Sequence, residues 1–91
     1  MVSKVTRVIN ATGLHARPAT EFVNKANTFS SKITIRNFSD ESNKTVNAKS
    51  IVLLLTLGVC QGTDVEITAV GLDEVEAVES LVALINTGFG E

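Results

Sequence analysis

Polar and apolar residues alternate over positions 3–9 (SKVTRVI), and β-branched residues are frequent there, so the pattern predicts a strand. The run Asn10-Ala11-Thr12-Gly13 ends it. The period then changes. Ala19, Phe22, Val23 and Ala26 fall at i, i+3, i+4 and i+7, the stripe of an amphipathic helix. Pro18 suits the first turn, where a missing N–H costs nothing, and Glu21 suits the positive end of the helix dipole. Alternation returns over 32–38 (KITIRNF) as a second strand. Ser39 to Asn43 form a polar turn, and 44–48 form a short return strand that completes a hairpin. Ser50 is a good N-cap before IVLLLTL, and Gly58 is a good residue just past the helix end. That spacing gives a very apolar helix of about two turns. After the turn Gln61-Gly62-Thr63-Asp64 comes a fourth strand at 65–70 (VEITAV), ended by Gly71. The last helix runs from Asp73 to about Thr87, with Val75, Val78, Leu81, Val82 and Ile85 on one face and Glu74, Glu76 and Glu79 early in it. Gly88-Phe89-Gly90-Glu91 is expected to be a frayed tail.

The order is β-α-β-β-α-β-α. One-sided alternation in each strand predicts an antiparallel sheet with one face in water. The helices then cover the other face, giving a two-layer α+β sandwich. With 91 residues, 44% of them hydrophobic, the chain fits a single domain over 1–91 and is too apolar for disorder. No internal repeat or low-complexity tract interrupts it.

The net charge of −2 argues against general nucleic-acid binding. Residues 1–60 hold all 8 basic residues and only Glu21, Asp40 and Glu41 as acids, whereas residues 61–91 hold no base. A basic first half would suit an acidic protein partner. A last helix with a merely solvated acidic face explains the asymmetry as well. One Cys excludes an intrachain disulfide, and one His with one Cys excludes a His/Cys zinc site built from this chain alone. No carboxylates stand at divalent-metal spacing, and no cofactor is expected. The first residues lack the apolar region of a signal peptide, and no apolar run reaches the ~20 residues of a membrane span. A small cytoplasmic protein, not embedded in a membrane, is the expectation.

No Gly-rich nucleotide loop or Walker lysine motif is present. Cys60 is expected to be a small, partly buried residue rather than a nucleophile. The concentrated site is Gly13-Leu14-His15-Ala16-Arg17-Pro18. His15 precedes a helix whose free N–H groups point back toward it, at a natural anion-binding end. Arg17 can add bidentate hydrogen bonds to a phosphoryl group. A neutral imidazole is a competent nucleophile near pH 7. His15 with the helix N–H groups and Arg17 therefore forms a metal-free phosphoryl-accepting site. The residues alone equally allow an ordinary loop histidine. Ser50 is either a plain N-cap or a site where a phosphate would be stable at a helix end. Ile51, Val52, Leu54 and Leu55 cannot all face one core on a helix. With Leu14 they form a docking patch, or loops cover them on both sides.

GLHARPA at 13–19 resembles the active-site signature of the HPr family, the histidine-containing phosphocarriers of the bacterial phosphoenolpyruvate:sugar phosphotransferase system. TVNAKSIVLLLTLGV at 45–59 resembles the family's regulatory-serine region, and QGTDVEITAVG at 61–71, the length and the element order agree too. The resemblance implies an open-faced β-sandwich with sheet order 1-4-2-3. It implies that His15 matches the histidine phosphorylated on Nδ1, that Arg17 matches the partner of the phosphohistidine, and that Ala16 and Arg17 match the backbone donors. Phosphoenzyme I would be the donor, and IIA domains of sugar permeases the acceptors. Ser50 matches a serine that a serine kinase/phosphorylase modifies in many Gram-positive members to signal through a catabolite-repression regulator. The docking residues would be Leu14, Ile51, Val52 and Leu55. The chain would be a monomeric carrier, not an enzyme with turnover of its own.

Two segments depart from the family pattern. IVLLL follows Ser50 where many members carry an IMGVM-like run, and Leu53 replaces a small residue common there. The 38–44 loop is a few residues longer than in many members, as a tolerated insertion at a hairpin tip. A competing function is a regulatory binding module acting through phosphorylated Ser50 and the apolar helix 51–57. Relatives of that kind tend to lack the histidine, so His15 argues against it as the sole role. A carrier in a nitrogen-linked branch is a third reading. A hydrolase is excluded, because no general-base pair or metal site accompanies His15.

Overall fold

The alternating segments become one four-stranded antiparallel sheet in the computed structural model, which describes residues 1–39 and 44–90. The elements are β1 (Val2–Arg7), α1 (Ala16–Ala26), β2 (Lys32–Asn37), β3 (Thr45–Asn47), α2 (Ile51–Leu55), β4 (Asp64–Val70) and α3 (Glu74–Asn86), followed by a 3-10 turn at Gly88–Gly90. The sheet order is β1-β4-β2-β3, as the resemblance implied. The centre of the expected turn at 39–43 and the loop insertion lie outside the described residues. Period-2 burial in β2 and β4 sets the register. Ile33, Ile35, Val65, Ile67 and Ala69 are buried on one face, and Ile35 stands opposite Ile67 across the β2–β4 ladder. On the other face Arg36 pairs with Glu66 at 3.2 Å and Arg7 with Asp64 at 2.9 Å, open to water.

The helices lay their apolar stripes on the buried face. Ala19, Phe22, Val23 and Ala26 of α1 are all buried, as their spacing predicted. α3 buries Ala77, Val78, Leu81 and Ile85. Each fully buried Leu, Ile, Val or Phe contributes about 1.5–3 kcal/mol of transfer free energy.

The structure corrects four expectations. Val5 is exposed on the open face opposite Glu66, whereas the inward positions of β1 include Lys4 and Thr6. These two reach α3 by polar contacts instead, Lys4 to Glu79 at 3.6 Å and Thr6 to Asn86 at 2.7 Å. Val75 is exposed, and Ala77 takes an inward place on α3 that the pattern had not assigned. α2 is 5 residues long, shorter than two turns, because Thr56 already caps it. Phe89 is no frayed tail: its side chain is buried in the core and its φ is +56°.

Asp73 occupies the N-cap position of α3 without capping it. Its carboxylate turns across to the start of β2, where it accepts the Ser30 and Ser31 N–H groups, each at 2.9 Å, and the Ser31 hydroxyl. The Ser31 hydroxyl is the main cause that holds the Asp73 pKa down to about 2, with the Ser30 N–H next.

Candidate functional site

The segment between β1 and α1 is anchored at Val8, Asn10, Gly13 and Leu14. Val8 is buried, donates its N–H to the Thr63 carbonyl at 2.9 Å and accepts the Gly62 N–H at 2.7 Å. Asn10 is also buried, and its side-chain amide donates to the Gly13 carbonyl at 2.8 Å, while Gly13 N–H returns a bond to the Asn10 carbonyl at 3.1 Å. Gly13 has φ +65° and lies against the Val59–Cys60 backbone, where a Cβ would have no room. The Leu14 N–H donates to the Val59 carbonyl at 3.1 Å, and the Leu14 side chain is in the core. Leu14 is therefore an anchor of the loop. It does not belong to an exposed docking patch, which corrects the sequence expectation.

These anchors leave His15 exposed at the N-cap of α1, in extended backbone at φ −130° and ψ 158°. Its side chain makes no capping hydrogen bond, so it does not spend the helix-end donors on itself. Ala16 follows at φ +51°, a left-handed residue leading directly into the helical Arg17. Successive left- and right-handed residues turn their N–H groups into one concavity, a geometry that favours anions. A left-handed Ala costs about 1–2 kcal/mol. The Thr20 hydroxyl donates to the Ala16 carbonyl at 3.2 Å and occupies that acceptor. Pro18 is buried in the first turn, as predicted.

Arg17 is tied along its own helix. Its Nε donates to Glu21 Oε1 at 3.1 Å, and its side chain is 87% exposed. Glu21 is beyond the first turn, so it serves Arg17 rather than the helix dipole. The i,i+4 spacing of this pair is the sequence signal for it. Asn10 ends the strand pattern, and its role as a buried strut has no sequence signal beyond the Asn-x-x-Gly turn pattern.

Ser50 caps α2 as expected, with its Oγ accepting the Leu53 N–H at 3.3 Å. Leu54 goes to the core, and Ile51, Val52, Leu53 and Leu55 stay exposed. The Asn27 side chain donates to the Lys49 carbonyl at 3.4 Å, which puts Ser50 beside the C-terminal end of α1. His15 stands at the opposite end of that 11-residue helix, roughly 16 Å away. The two residues are therefore separate sites. Cys60 is exposed, not partly buried. Among the described residues no group of His, Cys, Asp and Glu could hold a metal ion. Among the described residues no helix is long and apolar enough to cross a membrane.

The family model "PTS HPr component phosphorylation site" matches residues 2–87. The chain belongs to the HPr family. It is 48% identical over 87 residues to the phosphocarrier protein HPr of Haemophilus influenzae, with 96% of this chain and 98% of that protein covered. It is 46% identical to the HPr-like protein Crh of Bacillus subtilis, covering 93% of this chain and 95% of that one. The crystal structure of HPr-C-His from Thermoanaerobacter tengcongensis superposes with a TM-score of 0.92 at 48% identity, covering 100% of this chain and 98% of the other. As a member of the HPr family the chain is a phosphocarrier of the phosphotransferase system. In HPr terms, the first motif supplies the loop just described and the second supplies α2 with its cap.

Proposed function

We propose that His15 takes a phosphoryl group from phosphoenzyme I and passes it to IIA domains of sugar permeases. The observation that carries this reading is an exposed imidazole at an uncapped helix end, on a loop fixed by buried anchors. A neutral His15 attacks phosphorus through its unprotonated nitrogen. The new N–P bond forms as the donor's P–N bond breaks, and that electron pair returns to the donor ring nitrogen. The phosphoryl oxygens then meet the N–H groups of Ala16 and Arg17 and, once it swings over, the Arg17 guanidinium. The step needs no cofactor and leaves the chain altered until the acceptor removes the group. The chain is thus a covalent carrier working in the cytoplasm as a monomer, without turnover of its own.

Ile51, Val52 and Leu55 would dock both donor and acceptor, so that a partner's walls close over His15 and exclude water. Phosphorylation of Ser50 by a serine kinase/phosphorylase would place a dianion at the edge of that patch, where the α2 end tolerates it. The modified face could then engage a catabolite-repression regulator.

The test is intact mass after incubation with enzyme I, Mg²⁺ and phosphoenolpyruvate, the metal serving enzyme I. One acid-labile phosphoryl group, absent from His15→Ala, is expected. Equal uptake by His15→Ala would overturn the assignment, and no adduct on a folded chain would favour a purely regulatory module acting through Ser50.

A further inference from the structure

Arg17 is the one side chain of the phosphoryl site already committed elsewhere, through its 3.1 Å bond to Glu21. The carboxylate takes the Nε–H and draws the guanidinium along α1, so it competes with a phosphoryl dianion for the position of Arg17. We propose that Glu21 is a positioning residue for phosphoryl transfer, drawing Arg17 away from His15 and so keeping the phosphohistidine loosely enough held to be passed on.

The proposal rests on His15 as the acceptor. A carrier must release as readily as it accepts. If Arg17 were unopposed, its bond to the phosphoryl group would favour the loaded state and slow donation. The Glu21 carboxylate competes for the same cation through its Nε–H and adds a like charge near the incoming dianion. Its release of Arg17 is made easier by Lys25, one turn further along the helix. Glu21 and Lys25 line the same shallow groove together with Asn24, Thr28 and Leu84. A glutamate four residues before a lysine is the favoured order for a helix pair. Lys25 has no ion pair among the described residues, so it is available to Glu21 when Arg17 leaves.

The experiment measures the equilibrium ratio of phosphorylated to free carrier with enzyme I at fixed phosphoenolpyruvate and pyruvate, by intact mass. Glu21→Gln is expected to raise that ratio about twofold to fivefold at low salt, the size of an exposed helix ion pair plus one removed charge. Donation to an acceptor slows correspondingly. Glu21→Asp, too short to hold Arg17 in the same place, gives an intermediate ratio. In an Arg17→Gln background Glu21→Gln is expected to change the ratio by no more than the like-charge part, clearly less than in the wild type. Substitution of an exposed carboxylate with a merely structural role would not show this coupling. An unchanged ratio in Glu21→Gln, or an equal shift with and without Arg17, overturns the role of Glu21 while the adduct on His15 remains. A wild-type chain that takes up no phosphoryl group overturns both readings.

Discussion

Gly13 lies so close to Val59 that a Cβ on it would stand 2.5 Å from the Val59 carbonyl oxygen, and 2.7 Å from Cys60 Cα. The same carbonyl receives the Leu14 N–H, so this contact sets where the His15 loop sits. Gly13→Ala adds both a collision with backbone and a left-handed Ala at φ +65°. Together these are expected to cost about 2–4 kcal/mol in urea unfolding. Phosphoryl uptake should slow as well, because relief comes by moving the loop. A variant as stable and as fast as wild type would show that the contact does not fix the site.

His15→Ala is expected to do the reverse. The side chain is exposed and makes no capping bond, so unfolding free energy should stay within about 0.5 kcal/mol of wild type. Acid-labile phosphate should vanish. A large loss of stability would mean that His15 carries packing or hydrogen bonds the geometry does not contain.

The parts of this molecule legible in its sequence were those set by period and by caps. The α1 stripe, the Ser50 cap and the alternation of β2 and β4 each follow from local spacing, and each appears where expected. The misreadings have a common physical origin in tertiary context. Val5 and Val75 are apolar residues at positions that neighbours leave open, and nothing in their local pattern says so. Leu14 beside a histidine motif suggested a surface patch, yet its side chain is needed to fill the core under the loop. Phe89 lies between two glycines that suggest fraying, and a long-range pocket holds it instead. At the site, the motif located His15 but could not show that Arg17 is turned toward Glu21. That depends on which of two competing partners is present.

α2 sets a core residue beside an exposed apolar face within five residues. Leu54 is fully buried, so Leu54→Ala is expected to cost about 2–5 kcal/mol. Val52 is 68% exposed, and Val52→Ala should leave unfolding within about 0.5 kcal/mol of wild type. If this face docks the donor, Val52→Ala raises KM for transfer from enzyme I with little change in kcat. An unchanged KM for Val52 and for Leu55 alike would move the interface elsewhere.

Ser50 offers two substitutions with opposite readings. Ser50→Ala removes the oxygen that accepts the Leu53 N–H and should cost about 1 kcal/mol. Ser50→Asp keeps an acceptor at the N-cap and suits the dipole, so stability should hold. Its charge at the edge of the apolar face should nonetheless weaken binding to enzyme I, measured by titration calorimetry. Equal affinity would separate Ser50 from that interface.

The Asp73 carboxylate ties the start of β2 to the start of α3, and this link makes stability depend on pH in a defined window. It accepts two N–H groups and one hydroxyl, and its pKa falls to about 2, whereas an unfolded Asp titrates near ~3.9. The folded pKa is depressed, so the stabilisation is complete above about pH 4 and is lost as pH falls toward 2. Asp64, held down chiefly by its hydrogen bond from Arg7, and Glu74, held down chiefly by the N-terminal ammonium, add slope of the same sign. Asp73→Asn keeps one carbonyl acceptor but cannot carry the charge. It should lower stability at neutral pH and flatten the loss between pH 4 and 2, leaving a slope that includes the share of Asp64 and Glu74. Ser31→Ala should do part of the same, because the Ser31 hydroxyl is the largest cause of the shift. Urea unfolding at a series of pH values distinguishes the three chains. If Asp73→Asn retains the wild-type slope, the acid sensitivity lies elsewhere and the β2–α3 link is neutral to pH.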